Sequence, residues 1–391
     1  MRIHNTTSWT CLLLMMLWLG PNVIHSQEQQ QQQPRESNIT LLTIAPGEDV
    51  YSVFGHSAIR VKGQKGADDQ IYNYGTFSFS QPNFLLNFLR GRLLYSLSRS
   101  KYDRFLMAYH REQRTIYEQT LNLTPEEENK ISRALIENYK KENRDYLYEF
   151  FFDNCSTRLR DIVVNTYNDK LTWRTQEPRY TFRELLHQYT QSNAWLTFGI
   201  DLLVGVRTDR LATQQEEMFL PDYLYRHLNE ATISNQPVVH TDYLVLNFDQ
   251  ETMRRMKKGI NWPLFLFIGL FVLELILLLS RLKQGRAPTW VNIYDKLVFG
   301  ILGLGGIILL IMWLLTDHFT TKYNWNILWL SPLYLGLLFK SKSKMISYAI
   351  IVLFVLTIVA AFFQSFNIAI WPLIAMIGLK IARNYIVADR V

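Results

Sequence analysis

Apolar positions along the chain follow two different rules, and the change falls near residue 262. Before it, short segments alternate or carry helical stripes. "VFGHSAIRV" (53–61) predicts a turn at Gly55 entering a strand with His56, Ala58 and Arg60 on one face. "DQIYNYGTF" (69–77) predicts a second strand, in which Ile71 and Asn73 share a face while Tyr72 and Tyr74 point the other way. "TIYEQTLNL" (115–123) predicts a third, and "TPEE" after it is a capping box, with Thr124 as N-cap, Pro125 first and Glu127 third, opening a helix from Pro125 to about Glu142. "YLYEFFF" (146–152) predicts a buried strand or extended segment. Asp153 or Asn154 then caps a helix striped by Leu159, Ile162, Val163 and Thr166, which puts Cys155 at a helix N-terminus. "WLTFGIDLLVGV" (195–206) is too short to span a bilayer; it is a core helix or an interfacial segment that admits acyl chains, and Asp201 within it needs a partner.

After residue 262 five apolar runs follow, at 262–280, 297–315, 324–339, 345–363 and 366–382, most near the ~20 residues that cross a bilayer. The loop with Arg281, Lys283 and Arg286, the loop with Lys340, Lys342 and Lys344, and the tail with Lys380, Arg383 and Arg390 are basic, whereas loops 316–326 and 364–367 carry only Lys322. Basic loops stay in the cytoplasm, so the C-terminus is expected inside and the chain before residue 262 outside. The N-terminus gives the same orientation by a separate argument. Arg2 and His4 precede an apolar run at 11–19 and small or polar residues at Asn22 and Ser26, the layout of a signal peptide over 1–26. A Gln-rich linker occupies 27–36, and 37–250 reads as one globular domain. Arg254, Arg255, Lys257 and Lys258 precede the first run on the outer side, to attract anionic headgroups or as a solvated face. Glu274 lies mid-span, as a functional group or as a protonated acid bonded to a neighbouring helix. Asp317 and His318 stand in an external loop, to place a headgroup or as a surface pair.

Composition changes the picture only once it is split. The 391 residues are 48% hydrophobic with a formal net charge of +7, and a mean hydropathy of -0.04 averages a polar half with an apolar one. Of the two cysteines, Cys11 lies inside the leader, so the mature chain keeps Cys155 alone and an intramolecular disulfide is excluded. A lone thiol in an exported domain is either a buried, inert residue or a reactive one. At a helix N-terminus the unsatisfied N–H groups and the positive dipole end favour the thiolate. His56, at a Gly-flanked strand start, is either a presented base or a capped turn residue. No His, Asp and Glu cluster has zinc-like spacing, so no metal or other cofactor is expected, nor a nucleic-acid partner.

A "GHSAIRV" strand followed by an "NCSTRL" helix start resembles the circularly permuted papain-like fold of the NlpC/P60-related enzymes and lecithin:retinol acyltransferases. Over a longer stretch, from about residue 37 to the C-terminus, "FGHSAIR", "YNYGTF", "DNCSTRLRDI", "FLPDYL" and five apolar runs resemble the Bacteroidota-type lipoprotein N-acyltransferases with their former DUF4105 periplasmic domain. The resemblance implies an α+β papain-like catalytic domain in the periplasm followed by an all-α five-helix domain in the inner membrane. It implies transfer of an acyl chain from a membrane phospholipid, through a Cys155 thioester with His56 as base, to the α-amino group of diacylated lipoproteins. Asn73 stands where the permuted relatives carry their second polar residue and is the choice to orient His56, with Asp69 behind it; the other reading is a turn or core Asn. Tyr51, Tyr74, Asp153, Asn154 and Arg158 are candidates to contact substrate, Arg158 by gripping a phosphate bidentately or else as a solvated helix residue. Two other classes stay open: a phospholipase A or cysteine peptidase or amidase on the same pair, and a non-enzymatic sensor or scaffold with an inert Cys155.

Overall fold

The computed structural model describes residues 37–63, 69–284, 288–339 and 343–388. The leader, the linker and the basic residues Arg286, Lys340, Lys342 and Arg390 lie outside them. Among the described residues, strands β1 (Ile39–Ile44), β2 (His56–Val61), β3 (Gln70–Thr76), β4 (Leu94–Lys101), β5 (Ile116–Leu121), β6 (Asp145–Leu147) and β10 (Val239–Leu246) form one antiparallel sheet in the order β10-β5-β1-β2-β3-β4-β6. The two-residue strands β7 (Leu171–Thr172), β8 (Thr232–Ile233) and β9 (Gln236–Pro237) make a small separate sheet.

Alternation along β2 and β3 sends side chains into two cores. Ile59, Tyr72 and Tyr74 pack with Cys155, Leu159 and Val163 of the Cys155–Tyr167 helix and with Ile131 and Leu135 of the Pro125–Tyr139 helix. Ala58 and Ile71 pack on the opposite face with Leu42, Ile44 and Phe105. The face assignments for Ile71 and the two tyrosines therefore hold, as does the Thr124 capping box. The Pro125 helix ends at Tyr139, short of Glu142. Of the "YLYEFFF" segment only Tyr146 and Leu147 are strand, in Asp145–Leu147; Glu149 and Asp153 then bridge a turn, because the Glu149 carboxylate accepts from the Phe151 and Phe152 N–H groups and bends the chain.

The C-terminal region is helical. Trp262–Lys283 and Thr289–Leu314 are long and apolar enough to cross a membrane, and Lys344–Ala360 is apolar but shorter. The last helix is Ile370–Ala388. The expected run at 324–339 is not one helix but a 3-10 turn, Trp325–Leu328, and a short helix, Tyr334–Phe339. Pro332 supplies no N–H and disfavours helical geometry at Ser331, which breaks the segment. Side chains satisfy the break: the Tyr334 hydroxyl donates to the Trp329 carbonyl at 2.7 Å and the Trp329 indole to Asn326 Oδ1 at 2.8 Å. Glu274 is bonded to a neighbouring helix, as one of its two readings has it, through two cations of the last helix. It meets Arg383 at 2.6 Å and Lys380 at 2.9 Å, and Asp295 joins the same two cations at 2.6 and 2.7 Å. Lys380 and Arg383 are thus buried inside the bundle and are not tail charges facing the cytoplasm.

Candidate active site

The Cys155–Tyr167 helix starts where it does because Asn154 is held from several directions. Asn154 Oδ1 accepts from the Ser156 and Thr157 N–H groups, both at 2.9 Å, and the Asn154 N–H donates to Thr157 Oγ1 at 2.8 Å. Its Nδ2 donates to the carbonyls of Phe150 and Phe219, each at 2.8 Å, which clamps the helix start between two loops. The cap takes the second and third N–H groups of the helix and leaves that of Cys155 itself outside its grip. Ser57 and Ser156 hydroxyls, 2.8 Å apart and buried, fix the helix to β2 one residue after His56.

His56 Nε2 lies 2.5 Å from Asn73 Oδ1. An amide oxygen only accepts, so Nε2 carries a proton and Nδ1 is left to exchange one with the thiol. Beside the imidazole and the thiol, in the cavity wall, lies Gly75. Its φ of 86° belongs to the left-handed region, and the β3–β4 register slips between Asn73 and Thr76, so the strand bulges here. A Cβ on Gly75 would stand 3.7 Å from Cys155 Cβ, 3.7 Å from the Tyr148 ring and 4.0 Å from His56 Cε1. These are ordinary contact distances, so what calls for glycine here is the left-handed backbone of the bulge rather than lack of room.

Electrostatics matches this geometry. Burial alone pushes the Cys155 thiol up, but the neighbouring His56 imidazolium, with hydrogen bonds from the Ser57 N–H and the Ser156 hydroxyl, outweighs burial and holds the thiol below its ordinary value. For His56 burial works against charge, and the Cys155 thiolate and Asn73 overcome it, so the imidazole is raised. Each group favours the charged form of the other, which describes a thiolate–imidazolium pair.

The pair opens onto a cavity of about 1020 Å³, at the upper end of the roughly 300–1,000 Å³ usual for small-ligand sites. His56, Asn73, Gly75, Asn154 and Cys155 form one part of its wall. Aromatic residues carry the lining outward, through Phe77 and Tyr95 to Phe84 and Phe88 of the Phe84–Arg90 helix, and Trp195, Ile200 and Leu203 of the Ala194–Leu203 helix lie across from them. The second helix is not a core helix, since Asp201 is its one buried residue. It packs instead on the first apolar helix, with Trp195 and Phe198 against Phe267 at 6.2 and 5.4 Å. Asp201 finds its partners in Arg183 Nη1 at 3.0 Å, His187 Nε2 at 2.8 Å and Asn367 Nδ2 at 2.9 Å, the last from the membrane half.

The structure brings Cys155, His56, Asn73, Tyr51 and Asn154 to the cavity and leaves the other candidates elsewhere. Asp69 does not stand behind Asn73; it pairs with Arg60 and accepts from the Gly63 N–H, beside Glu118. Arg158 is spent on Asp153, at 2.6 and 2.8 Å, and lies 3.6 Å over the Tyr146 ring. A guanidinium so engaged has no fork to offer a phosphate. Tyr74 is buried, its hydroxyl accepting from Asn138 at 2.8 Å. Of the basic cluster ahead of the first span, Arg254 pairs with Glu251 and Glu48, and Arg255 donates to the carbonyls of Glu112 and Gln113. Sequence reasoning missed Gly75, although a glycine interrupting an alternating strand is a bulge signal. It also missed the Phe84–Arg90 helix, too short to register as a periodic stripe.

Residues 25–188 match the family model described as the Lnb N-terminal periplasmic domain, and residues 255–390 match that of the Lnb transmembrane domain. In this order the two matches make the chain a two-domain protein of the Lnb type, a membrane protein with a periplasmic N-terminal part. No curated protein and no solved structure matches it.

Proposed function

We propose that the protein is a thiol acyltransferase of the inner membrane, its C-terminus cytoplasmic, with a permuted papain-like periplasmic domain that moves an acyl chain from phospholipid to the α-amino group of diacylglyceryl-cysteine lipoproteins. The observation that carries this reading is the Cys155–His56 pair on the wall of a large cavity whose outer lining is apolar and belongs in part to a helix packed on a membrane-crossing one. In the first half-reaction the thiolate attacks the ester carbonyl, and the oxyanion is met by the Cys155 N–H that the Asn154 cap leaves out. The C–O bond then breaks, His56 Nδ1 gives its proton to the departing lysolipid oxygen, and the acyl group remains as a thioester. In the second, the lipoprotein amine attacks the thioester, its proton passes to His56, and the thiolate leaves. Asn73 fixes the imidazole through both steps. Fusion to a membrane bundle suits two lipid-anchored substrates, because extracting either into water costs about 0.8 kcal/mol per CH₂.

Incubating the purified full-length protein with phospholipid vesicles and a diacylated lipopeptide tests the reading. Mass spectrometry is expected to find one further acyl chain on the lipopeptide α-amine. Free fatty acid released at the same rate with or without lipopeptide would replace the transferase by a phospholipase on the same pair.

A further inference from the structure

The Phe84–Arg90 helix, FLLNFLR, is mostly apolar, yet none of its residues is buried. Leu85 is 66% exposed, Phe88 51%, and Leu86 and Leu89 47% each. Leaving such side chains in water forgoes the gain of burial, and a contiguous patch of this kind marks an interaction surface. Its faces differ. Phe84, Leu85 and Phe88 edge the cavity mouth, while Leu86 and Leu89, one helical turn apart, are not part of the cavity wall.

What covers the patch follows from where the helix is tied. The Arg90 carbonyl accepts from the Asp317 N–H at 2.9 Å, the Phe88 carbonyl from His318 Nε2 at 3.1 Å, and Arg92 Nε donates to the Asp317 carboxylate at 2.5 Å. Gly91, at φ 71°, makes the approach possible, since a Cβ there would lie 3.1 Å from the His318 ring. Asp317 and His318 follow immediately on the apolar Thr289–Leu314 helix, so they mark the level at which that helix leaves the bilayer. Across the cavity mouth the Ala194–Leu203 helix is held at the same level, its Leu202 and Leu203 carbonyls accepting from Asn324 Nδ2 at 2.8 and 3.0 Å and the Gly205 N–H reaching the Thr320 carbonyl at 2.8 Å. Both rims of the mouth are thus hung from the external loop of the membrane half.

We propose that the Phe84–Arg90 helix is an interfacial arm seated in the outer leaflet, and that with the Ala194–Leu203 helix it frames a lateral portal through which acyl chains pass from the bilayer to Cys155. The occupant of the exposed face is the lipid surface. Leu86 and Leu89 enter the acyl region, and the exposed Arg90 at the helix end remains among the headgroups. The depth of the arm rests only on the membrane location of the chain; its role as a portal rests on the acyl-transfer reading.

The test uses the full chain in nanodiscs of phosphatidylethanolamine and phosphatidylglycerol, with Cys11 and Cys155 replaced by Ser and single spin labels at Leu86, Leu89 or, as a control on an exposed helix of the same domain, Glu137. The first two labels are expected to be open to oxygen and shielded from a water-soluble nickel complex, and the Glu137 label the reverse. Nickel accessibility at Leu86 and Leu89 equal to that at Glu137 would overturn the arm. For the portal, the double variant Leu86→Asp, Leu89→Asp with Cys155 intact should acylate its thiol at least tenfold more slowly from bilayer phospholipid, and within twofold of wild type from water-soluble dihexanoyl phospholipid. An equal loss on both donors, or no loss on the bilayer, would overturn it. Failure of the wild-type protein to form an adduct from either donor would count against acyl transfer, while the label depths would still decide the arm.

Discussion

The two sides of the cavity are built by opposite rules. On the sheet side Cys155, Asn154 and Ser156 are buried and His56 half-buried, with Asn154 held by Phe150, Phe219 and its own helix, Ser156 by Ser57 and His56 by Asn73. On the mouth side the Phe84–Arg90 helix buries nothing and is held by hydrogen bonds to its end, by Phe84 against Phe77 and Phe79, and by one exposed ion pair beside it, with Arg92 60% and Asp317 57% exposed. On the proposed reading, chemistry that depends on tenths of an ångström would sit where packing fixes geometry, and a flexible lipid chain would be admitted past the exposed helix.

Substitutions sharpen this contrast in order of effect. Cys155→Ala should abolish acyl transfer, a loss of at least about 1000-fold in turnover, with the fold kept, since a small side chain replaces a small one; circular dichroism and turnover check both halves. His56→Ala should slow acylation by roughly 10²–10⁴ and also change its pH dependence. In the wild type the thiol lies below and the imidazole above its ordinary value. Alkylation of Cys155 should therefore stay fast as pH falls below the usual thiol range and slow only through the depressed thiol value. In His56→Ala the imidazolium that favours the thiolate is gone while burial remains, so the midpoint should rise to that of an ordinary thiol or above it. An unmoved midpoint would mean that the helix terminus alone activates the thiol.

Gly75→Ala comes next. It strains a backbone at φ 86° by about 1–2 kcal/mol and puts a methyl in contact with Cys155, Tyr148 and His56. Thermal unfolding should register the strain, and kcat should fall more than KM rises. The smallest effect is expected on the mouth side. Arg92→Ala removes an exposed pair and should leave the thermal unfolding midpoint nearly unchanged; a clear drop would place the arm among the rigid parts of the fold.

What the sequence disclosed divides along the same line. Cys155 at a capped helix start, Thr124 in its box and the shared face of Ile71 and Asn73 were legible because each depends on residues at most four apart, where helix and strand periodicity decide. The pairing of Asn73 with His56 came from the resemblance to the permuted papain-like enzymes, and the structure adds that the two lie on adjacent antiparallel strands. The bulge at Gly75 was not legible, since a register slip depends on the partner strand β4 and not on β3 alone. The capture of Arg158 by Asp153 was missed for another reason: five residues apart, they are joined by a turn bent by Glu149 rather than by helical spacing. Glu274 was recognised as costly, but its partners Lys380 and Arg383 come from a helix about a hundred residues later, and only packing brings them together. The 324–339 run reads as one span because hydropathy averages over Pro332.

The central claim is that Cys155 is a nucleophile that carries the acyl chain. Wild-type protein incubated with phospholipid vesicles and no acceptor should gain the mass of one fatty acyl group. Peptide mapping should locate that mass on Cys155, and neutral hydroxylamine should remove it, as befits a thioester. An acyl group found on another residue or resistant to hydroxylamine, or no gain in mass, would contradict the account.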